Sequence, residues 1–372
     1  MTLSFYIARR FLRAFGIVGG AFAGILFLIN LAELARRLSG DDYGIGALSR
    51  FALLKLPQTL YEILPLVMVL AAVTLFIGLA RSSELVVIRA AGRSALRMLV
   101  APVLVAVAIG MIAVTMGNPI VSATKNRYEQ LMSERKSETR STISIGREGV
   151  WMRQGAGLAA DGKTPAQAVI QAASANADAT RLSDVTFLIF VPGQGPVRRL
   201  RAASAELVPG AWALTDVKDW NLGGSTNPEF EATRHDSLRI DSDLTAARIR
   251  ESFGEPEDVA LWQLPGFIAS LDAAGFSSLR HRVWFLSELS LPIFLGAMVL
   301  VAAAFTMRHA RSGRMGMMVL LAFGLGLGMF FLRYVAQILG GNGQVPLMLA
   351  AWAPPLIAVI VPLAFVLHLE DG

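Results

Sequence analysis

The chain has 372 residues, of which 54% are apolar, a fraction too high for a soluble protein of this length. Its formal net charge is +6, but the basic residues cluster beside apolar runs, which argues for membrane topology and against nucleic-acid binding. Because no cysteine is present, disulfides, thiolate metal sites and cysteine nucleophiles are excluded.

The apolar runs predict an α-helical membrane protein with six transmembrane helices, each run being close to the roughly 20 residues that cross a bilayer core. They lie at about residues 15–34, 56–79, 98–116, 283–307, 315–339 and 345–369. The N-terminal MTLSFYIARRFLRAF leads into the first run without a small-residue cleavage signal, so we expect a retained first span. The predicted organisation is three helices in residues 1–117, a soluble domain in 118–280 and three helices in 281–372.

Arginines in the short connections predict the orientation of the chain. They precede the first span, follow the second and follow the fourth, whereas the connection GGNGQ before the last span has none. These residues are Arg9, Arg10, Arg13, Arg81, Arg89, Arg93, Arg97, Arg308, Arg311 and Arg314. The positive-inside rule then places both termini and residues 81–97 in the cytoplasm, and the large domain across the membrane.

The large domain has the pattern of short β-strands. Apolar residues recur at every second position, as in Val185, Phe187 and Ile189, and turn pairs such as Pro209-Gly210 separate the runs. Many strands at this spacing predict a jelly-roll-like domain or a sandwich, inserted between the third and fourth spans. Residues 261–274 have helical periodicity instead.

The polar stretch RSSELVVIRAAGRSALR at residues 81–97 predicts a short helix on the membrane surface. Ser82 or Ser83 can cap its start, Glu84 complements the positive end of the helix dipole, and Gly92 suits its C-terminal end. Two interpretations remain open for this segment. It is either a docking element for a soluble partner or a connecting loop with basic residues on the cytoplasmic side.

Ionisable residues also collect at the opposite side of the membrane, where the positive-inside rule gives no reason for cations. They are Glu33, Arg36, Arg37, Arg50, Lys55, Glu288 and Arg333. One hypothesis is a ring of cations that holds phosphate or carboxylate groups of an amphiphilic substrate. The alternative is that the basic side chains reach the interface and that Glu33 neutralises Arg36 or Arg37 one turn away.

Signatures of catalysis are absent from the sequence. It has no phosphate-binding Walker loop, no HExxH and no GxSxG, and its four histidines are scattered without the spacing of metal ligands. We therefore predict no cofactor and a noncatalytic protein, and any work that needs energy must be driven by another chain.

The chain resembles the LptF/LptG family, the permease subunits of the lipopolysaccharide export ABC transporter. The resemblance rests on the order of three spans, a β-rich domain and three spans, on RSSELVVIRAAG at residues 81–92, and on Arg36-Arg37 at the end of the first span. It covers essentially the whole chain. The stretch LINLAELARR at residues 28–37 is more similar to the LptG branch than to LptF.

The resemblance implies two sites. The first is a coupling helix near residues 81–97 that fits a groove on an LptB-like ATPase, with Glu84, Leu85 and Arg89 as its contacts. The second is a cavity lined by the first and fifth spans, in which Arg36 and Arg37 face lipid A phosphates. A family lysine one turn earlier is Asn30 in this chain. The candidate lipid-contacting residues are Asn30, Glu33, Arg36, Arg37 and Arg333.

The function that the resemblance implies is extraction of lipopolysaccharide from the outer leaflet of the bacterial inner membrane, driven by ATP hydrolysis in a partner. Expected partners are an LptF-like permease, an LptB-like ATPase dimer, and LptC-like and LptA-like periplasmic proteins that receive the lipid. A non-transporting scaffold, whose periplasmic β-domain binds envelope proteins, is the alternative. An intramembrane enzyme using Glu33, Glu288 or Arg333 is a further alternative that the missing catalytic spacings disfavour.

Overall fold

The chain folds into two compact units, seen in a computed structural model. One unit comprises Met1–Met132, Glu257–Trp262 and Leu279–Gly372, and the other comprises Ser133–Pro256 and Gln263–Ser278. The structure describes residues 2–38, 44–84, 87–88, 94–133, 143–146, 149–158, 165–176, 180–191, 195–223, 227–242, 244–245, 255–273, 276–307 and 315–371. The helices α1 to α5 and α7 to α9 lie in or begin in the first unit, and the β-strands lie in the second.

The helical unit contains the predicted spans. Its helices are α1 (Thr2–Arg37), α2 (Ile45–Glu62), α3 (Leu64–Arg81), α4 (Ala95–Ile112), a π-helix (Ala113–Gly117), α5 (Asn118–Ser133), α7 (Leu279–Thr306), α8 (Met315–Gly341) and α9 (Leu347–Asp371). Within the described ranges, six stretches are long and apolar enough to cross a membrane: Leu3–Arg37, Leu64–Arg81, Leu96–Met132, Leu279–Thr306, Gly316–Gly341 and Leu347–His368. The prediction of six membrane helices with a β-rich domain between the third and fourth is confirmed.

The second span begins later than its hydropathy suggests. The chain breaks its helix at Ile63, so that α2 ends at Glu62 and α3 starts at Leu64, eight residues after the predicted position 56. Pro65 lies in the first turn of α3, where its missing N–H costs nothing because that group has no intrahelical partner. Apolar residues before the break therefore belong to α2, a separate helix that packs on α1.

The helix α7 lies at the centre of the helical unit. It contacts α3, α4, α8 and α9, and 78% of its most apolar window is buried, against 11% for α1 and 17% for α8. In a membrane, apolar side chains need not be buried against protein, since lipid tails are equally apolar. The large exposed apolar faces of α1 and α8 are therefore surfaces for lipid or for another chain.

Close helix packing around α7 depends on glycine. A Cβ on Gly110 of α4 would lie 2.5 Å from the Cα of Pro292 on α7, and one on Gly326 of α8 would lie 2.8 Å from a methyl group of Val69 on α3. At Gly110 the added atom would meet backbone, so the two helices would have to move apart, and at Gly326 it would displace the Val69 side chain. These two glycines thus set the distance between neighbouring helices.

We expect Gly110→Ala to destabilise the helical unit by about 1–3 kcal/mol, because its methyl group meets backbone that cannot rotate away. Thermal unfolding of the purified protein in detergent measures this. The matched control is Gly324→Ala on α8, where nothing lies within 4 Å of the added atom. An unfolding midpoint for Gly110→Ala equal to that of the control would contradict the packing account.

The second unit is built on one antiparallel sheet. Its strands are β1 (Ile143–Gly146), β2 (Gly149–Leu158), β3 (Pro165–Ala175), β4 (Arg181–Val191), β5 (Gly195–Val208), β6 (Ala211–Asn221) and β7 (Thr233–Asp241). Each strand pairs with the next one in the chain, so the described strands form a seven-stranded meander without a Greek-key crossover. The helix α6 (Leu264–Ala273) belongs to the same unit.

The sheet rolls over a hydrophobic core. Alternation puts residues such as Phe187 and Leu200, which are opposite each other on β4 and β5, on the buried face. Gln154 of β2 accepts hydrogen bonds from the indole of Trp212 at 3.2 Å and from Ser242 at 2.7 Å, which joins the two ends of the sheet. Leu271 of α6 packs on the same core. The predicted helix in residues 261–274 therefore closes the β-rich domain.

Candidate functional site

The polar segment after α3 is shorter than the sequence suggests. Its predicted first residue, Arg81, is the last residue of α3, and Ser94 caps α4, which begins at Ala95. Between them, Glu84 and Val87 are helical, and the Val87 N–H donates to the carbonyl of Ser83 at 3.2 Å. Ser83, directly before Glu84, has a φ of 57°, in the left-handed region that non-glycine residues rarely adopt.

Glu84 joins this segment to the N-terminal end of α1. Its carboxylate accepts hydrogen bonds from Arg10 at 2.6 and 2.8 Å, from the Tyr6 hydroxyl at 3.0 Å, and from the Ser82 hydroxyl at 2.6 Å. Tyr6 and Arg10 are one helical turn apart, and their side chains are themselves hydrogen-bonded at 2.7 Å. The predicted coupling residue is thus fastened to the first span.

The other two predicted coupling residues, Leu85 and Arg89, lie outside the described residues. Their neighbour Val87 is 66% exposed, while Ile88 is buried. The segment therefore carries an exposed apolar side chain, Val87, close in sequence to Glu84.

Hydrogen bonding to Glu84 has a pH consequence. The Ser82 hydroxyl, and then Arg10 and Tyr6, lower the pKa of Glu84 below its ordinary 4.5, because they stabilise the ionised carboxylate. Because the pKa of Glu84 is lower in the folded protein than in the unfolded chain, its hydrogen bonds stabilise the fold fully above pH 4.5. That stabilisation is lost as the pH falls through the lowered pKa.

We therefore expect the contact between Arg10 and Glu84 to be intact at about pH 7 and to break only in acid. Spin labels on cysteines introduced at the exposed Ser4 and Val87 measure it by pulsed EPR, since the chain has no cysteine of its own. The distance distribution should stay narrow until pH falls below 4.5. Broadening that begins at higher pH would contradict the assignment.

The C-terminal end of α1 carries the second predicted site. Arg36 and Arg37 are both exposed. Glu33, predicted as a possible partner of these arginines, instead accepts a hydrogen bond from Lys55 of α2 at 2.8 Å. Asn30 is buried and donates to Thr59 of α2 at 3.3 Å. Asn30 and Glu33 thus fasten α1 to α2, and the two arginines project beyond that contact.

Arg333 is placed differently from Arg36 and Arg37. Its side chain is only 11% exposed and points into the helical unit. The guanidinium donates to the carbonyl of Ser287 at 3.0 Å, lies 3.4 Å from a carboxylate oxygen of Glu288, and stands over the ring of Phe294 at 5.2 Å. The Tyr61 hydroxyl donates to the same carboxylate. Arg333 therefore ties α8 to α7 from within.

The two ends of α1 are far apart. From Arg10 to Arg36 the helix rises by about 39 Å at 1.5 Å per residue, which exceeds the roughly 30 Å hydrocarbon core of a bilayer. One continuous helix thus connects the Glu84 cluster with the exposed arginines. In the described part of the chain, no three His, Cys, Asp or Glu side chains are grouped so that they could hold a metal ion.

Sequence reasoning missed the partners of both Glu84 and Arg333. Tyr6 and Arg10 carry a weak signal, since an aromatic and a basic residue four positions apart share one helix face. Tyr61, which donates to Glu288, gives no such indication, because the two residues are 227 positions apart in the chain. Only the packing of the helices brings these groups together.

Comparison with known proteins agrees with this architecture. Residues 5–368 match the family model of the lipopolysaccharide export system permease LptF/LptG. The chain is 24% identical over 366 residues to the lipopolysaccharide export system permease protein LptG of Haemophilus influenzae, covering 97% of this chain and 96% of that protein. It is also 24% identical over 349 residues to LptG of Escherichia coli K12, covering 92% and 88% respectively. The chain therefore belongs to the LptF/LptG family of lipopolysaccharide export permeases and is LptG-like.

Proposed function

We propose that this multi-pass membrane protein, whose family has its role in lipopolysaccharide transport, is the transmembrane subunit that extracts the lipid from the outer leaflet of the inner membrane. ATP hydrolysis in a partner chain supplies the energy. The single observation that carries the proposal is α1, which bonds Glu84 near one end and presents Arg36 and Arg37 at the other.

The Glu84 cluster, which consists of Glu84, Tyr6, Arg10 and Ser82, receives the movement of the ATPase. An ATPase that docks on the segment around Val87 pushes on Glu84, and the hydrogen bonds to Arg10 and Tyr6 pass that displacement to α1. These bonds are charge-assisted, so they hold the two elements together more firmly than neutral hydrogen bonds do. An α-helix of 36 residues transmits such a displacement along its axis.

Arg36 and Arg37, at the other end of α1, bind the lipid. Guanidinium groups bind phosphate through two parallel hydrogen bonds, and Arg36 and Arg37 are exposed at the end of α1. Their contact is the phosphorylated glucosamine end of the lipid, while its acyl chains lie against the exposed apolar faces of α1 and α8. Asn30 and Glu33 position the arginines through α2, and Arg333, which is engaged with Glu288, is left out of the proposed phosphate contact.

The orientation follows from the positive-inside rule, and the partners follow from the family to which the chain belongs. Both termini and the Glu84 segment face the cytoplasm, and the β-rich domain is periplasmic. The chain pairs with an LptF-like permease, an LptB-like ATPase dimer acts from the cytoplasm, and LptC-like and LptA-like proteins receive the lipid from the β-rich domain.

Affinity purification of the tagged chain from its native membrane in mild detergent tests the assembly. Mass spectrometry should find an ABC ATPase, a second six-span permease and lipopolysaccharide. A parallel purification of Glu84→Arg should lose the ATPase and keep the second permease. Recovery of envelope proteins alone, unchanged by Glu84→Arg, would instead support the non-transporting scaffold.

A further inference from the structure

The helix α2 forms hydrogen bonds with two different parts of the helical unit through opposite faces. Lys55 and Thr59 are one helical turn apart, so they share one face, and both bond to α1. Tyr61 comes two positions after Thr59, which is about 200° around a helix of 3.6 residues per turn. Its side chain therefore points away from α1, and its hydroxyl donates a hydrogen bond to Glu288 of α7.

Tyr61 reaches α7 through the length of its side chain. Within the described residues, α2 packs on α1 but does not pack extensively on α7. The phenol ring lies beside Gly117 of the π-helix, where an added Cβ would be 3.5 Å from a ring carbon. The hydroxyl beyond the ring thus provides a polar contact between two helices that are not close neighbours.

The carboxylate of Glu288 is shared by two helices. One oxygen accepts the hydrogen bond from Tyr61, and the other lies 3.4 Å from the guanidinium of Arg333 on α8. The side chains of this ion pair are only 2% and 11% exposed. A charged pair at this depth is costly to bury, so we expect it to have a use beyond stability. Polar contacts thus run from α1 through α2 and α7 to α8.

The other contacts that relate α1 to α8 are less specific. Within the described ranges, these two helices do not pack extensively on each other, although both pack on α3. Their contacts with α3 include apolar ones, at Gly19 with Val67 and at Gly326 with Val69. Packed helices can slide along such surfaces in small shear movements. Hydrogen bonds and an ion pair instead hold particular atoms together, so the polar contacts define the relative position of the two helices.

We infer that Tyr61 is a positioning residue that keeps α1 at a fixed separation from α8, the two spans whose exposed faces are proposed to contact the acyl chains. The inference rests on the proposed function, since this separation matters only if both helices border the lipid. Lys55 and Thr59 hold α2 on α1, and Tyr61 joins α2 to the pair of Glu288 and Arg333. A movement that reaches α1 from the Glu84 cluster is thereby passed to α8, so that both surfaces move together.

Pulsed EPR on the reconstituted complex tests this positioning. Spin labels on cysteines at the exposed Ile29 of α1 and Ile338 of α8 report the separation of these helices, because the chain has no cysteine of its own. Tyr61→Phe removes one hydroxyl and should broaden the distribution of this distance. Labels at Ile293 of α7 and Ile338 should show no change, because Arg333 still joins these two helices. An unchanged distance distribution between α1 and α8 would overturn the inference.

Lipid release separates positioning from general support of the fold. In Tyr61→Phe, the lipopolysaccharide released per ATP hydrolysed should fall about fivefold, the effect of about one hydrogen bond. The unfolding midpoint and the amount of bound ATPase should stay close to those of the matched control Tyr334→Phe, which removes the hydroxyl of an exposed tyrosine on α8. That control should change neither the distances nor lipid release. Broader distances with unaltered release, or equal losses of release in both variants, would overturn the inference.

A second variant tests the same linkage if Tyr61→Phe does not accumulate. Thr59→Val removes the hydroxyl that accepts from Asn30 and keeps a side chain of similar shape. It should broaden the distance between α1 and α8 and leave that between α7 and α8 unchanged. Unchanged distances in this variant would overturn the inference. Failure of the unaltered complex to release lipid, with the distances changing as expected, would instead overturn the proposed function.

Discussion

Replacing Glu84 with alanine is expected to abolish most ATP-driven lipid release while the chain still folds and inserts. If the proposed function holds, an ATPase docked on this segment loses a charged contact worth about 2 kcal/mol, equivalent to about thirtyfold in affinity. Loss of the bonds to Arg10 and Tyr6 costs the fold little, because the ion pair is about one-third exposed and screened by solvent. Lipopolysaccharide release per ATP hydrolysed, measured on the purified complex, gives the size of the effect.

Two further variants separate docking from transmission. Arg10→Gln leaves Glu84 available to the ATPase but weakens its bond to α1, so the ATPase should stay bound while lipid release falls. Glu62→Ala removes an exposed carboxylate at the end of α2 and should change neither ATPase binding nor lipid release. If the Arg10 and Glu84 variants lose ATPase binding equally, the bond between these residues serves docking and does not transmit movement from the ATPase to α1.

Neutralising Arg36 and Arg37 should weaken lipid binding more than any other change at the C-terminal end of α1. The double variant Arg36→Gln, Arg37→Gln removes two guanidinium groups, and two charge-assisted bonds together contribute roughly 3 kcal/mol, about a hundredfold in affinity. The amount of lipopolysaccharide that remains with the purified complex, quantified by mass spectrometry of lipid A, reports this loss.

The matched control lies on the same helix. Arg9 and Arg13 are also exposed, and the double variant Arg9→Gln, Arg13→Gln makes the same change in charge near the N-terminal end of α1. It should retain the lipid at the level of the unaltered protein. Equal lipid loss in both double variants would mean that general charge, and not a phosphate contact at Arg36 and Arg37, holds the lipid.

Hydropathy and alternation were sufficient to predict the six membrane helices and the inserted β-rich domain, because both depend on local periodicity. The break at Ile63 was missed because apolar residues at the end of α2, such as Leu56, run on into those of α3, so hydropathy alone does not show where one helix ends and the next begins. The sequence also could not predict the hydrogen-bond partners of buried residues. Arg333 has the same local signature as an interfacial arginine, and only the position of Glu288 on α7 shows that it faces inward.

The candidate sites were predictable to different degrees. Glu84 could be identified because it belongs to a segment that interrupts two apolar runs, but its bond to Arg10 joins residues 74 positions apart. Asn30 and Glu33 share a helix with Arg36, yet the packing of α2 turns them into structural contacts. Long-range contacts between helices have no periodic signal, which is why sequence reasoning found the elements and not these pairs.

The measurement that tests the account most directly is release of lipopolysaccharide from proteoliposomes that contain this chain, its partner permease and the ATPase. A soluble periplasmic acceptor protein is added outside, and lipid transferred to it is quantified with and without ATP. The account predicts transfer that requires ATP and falls steeply in Glu84→Ala. ATP hydrolysis without any lipid transfer, or transfer that is equal without ATP, would contradict it.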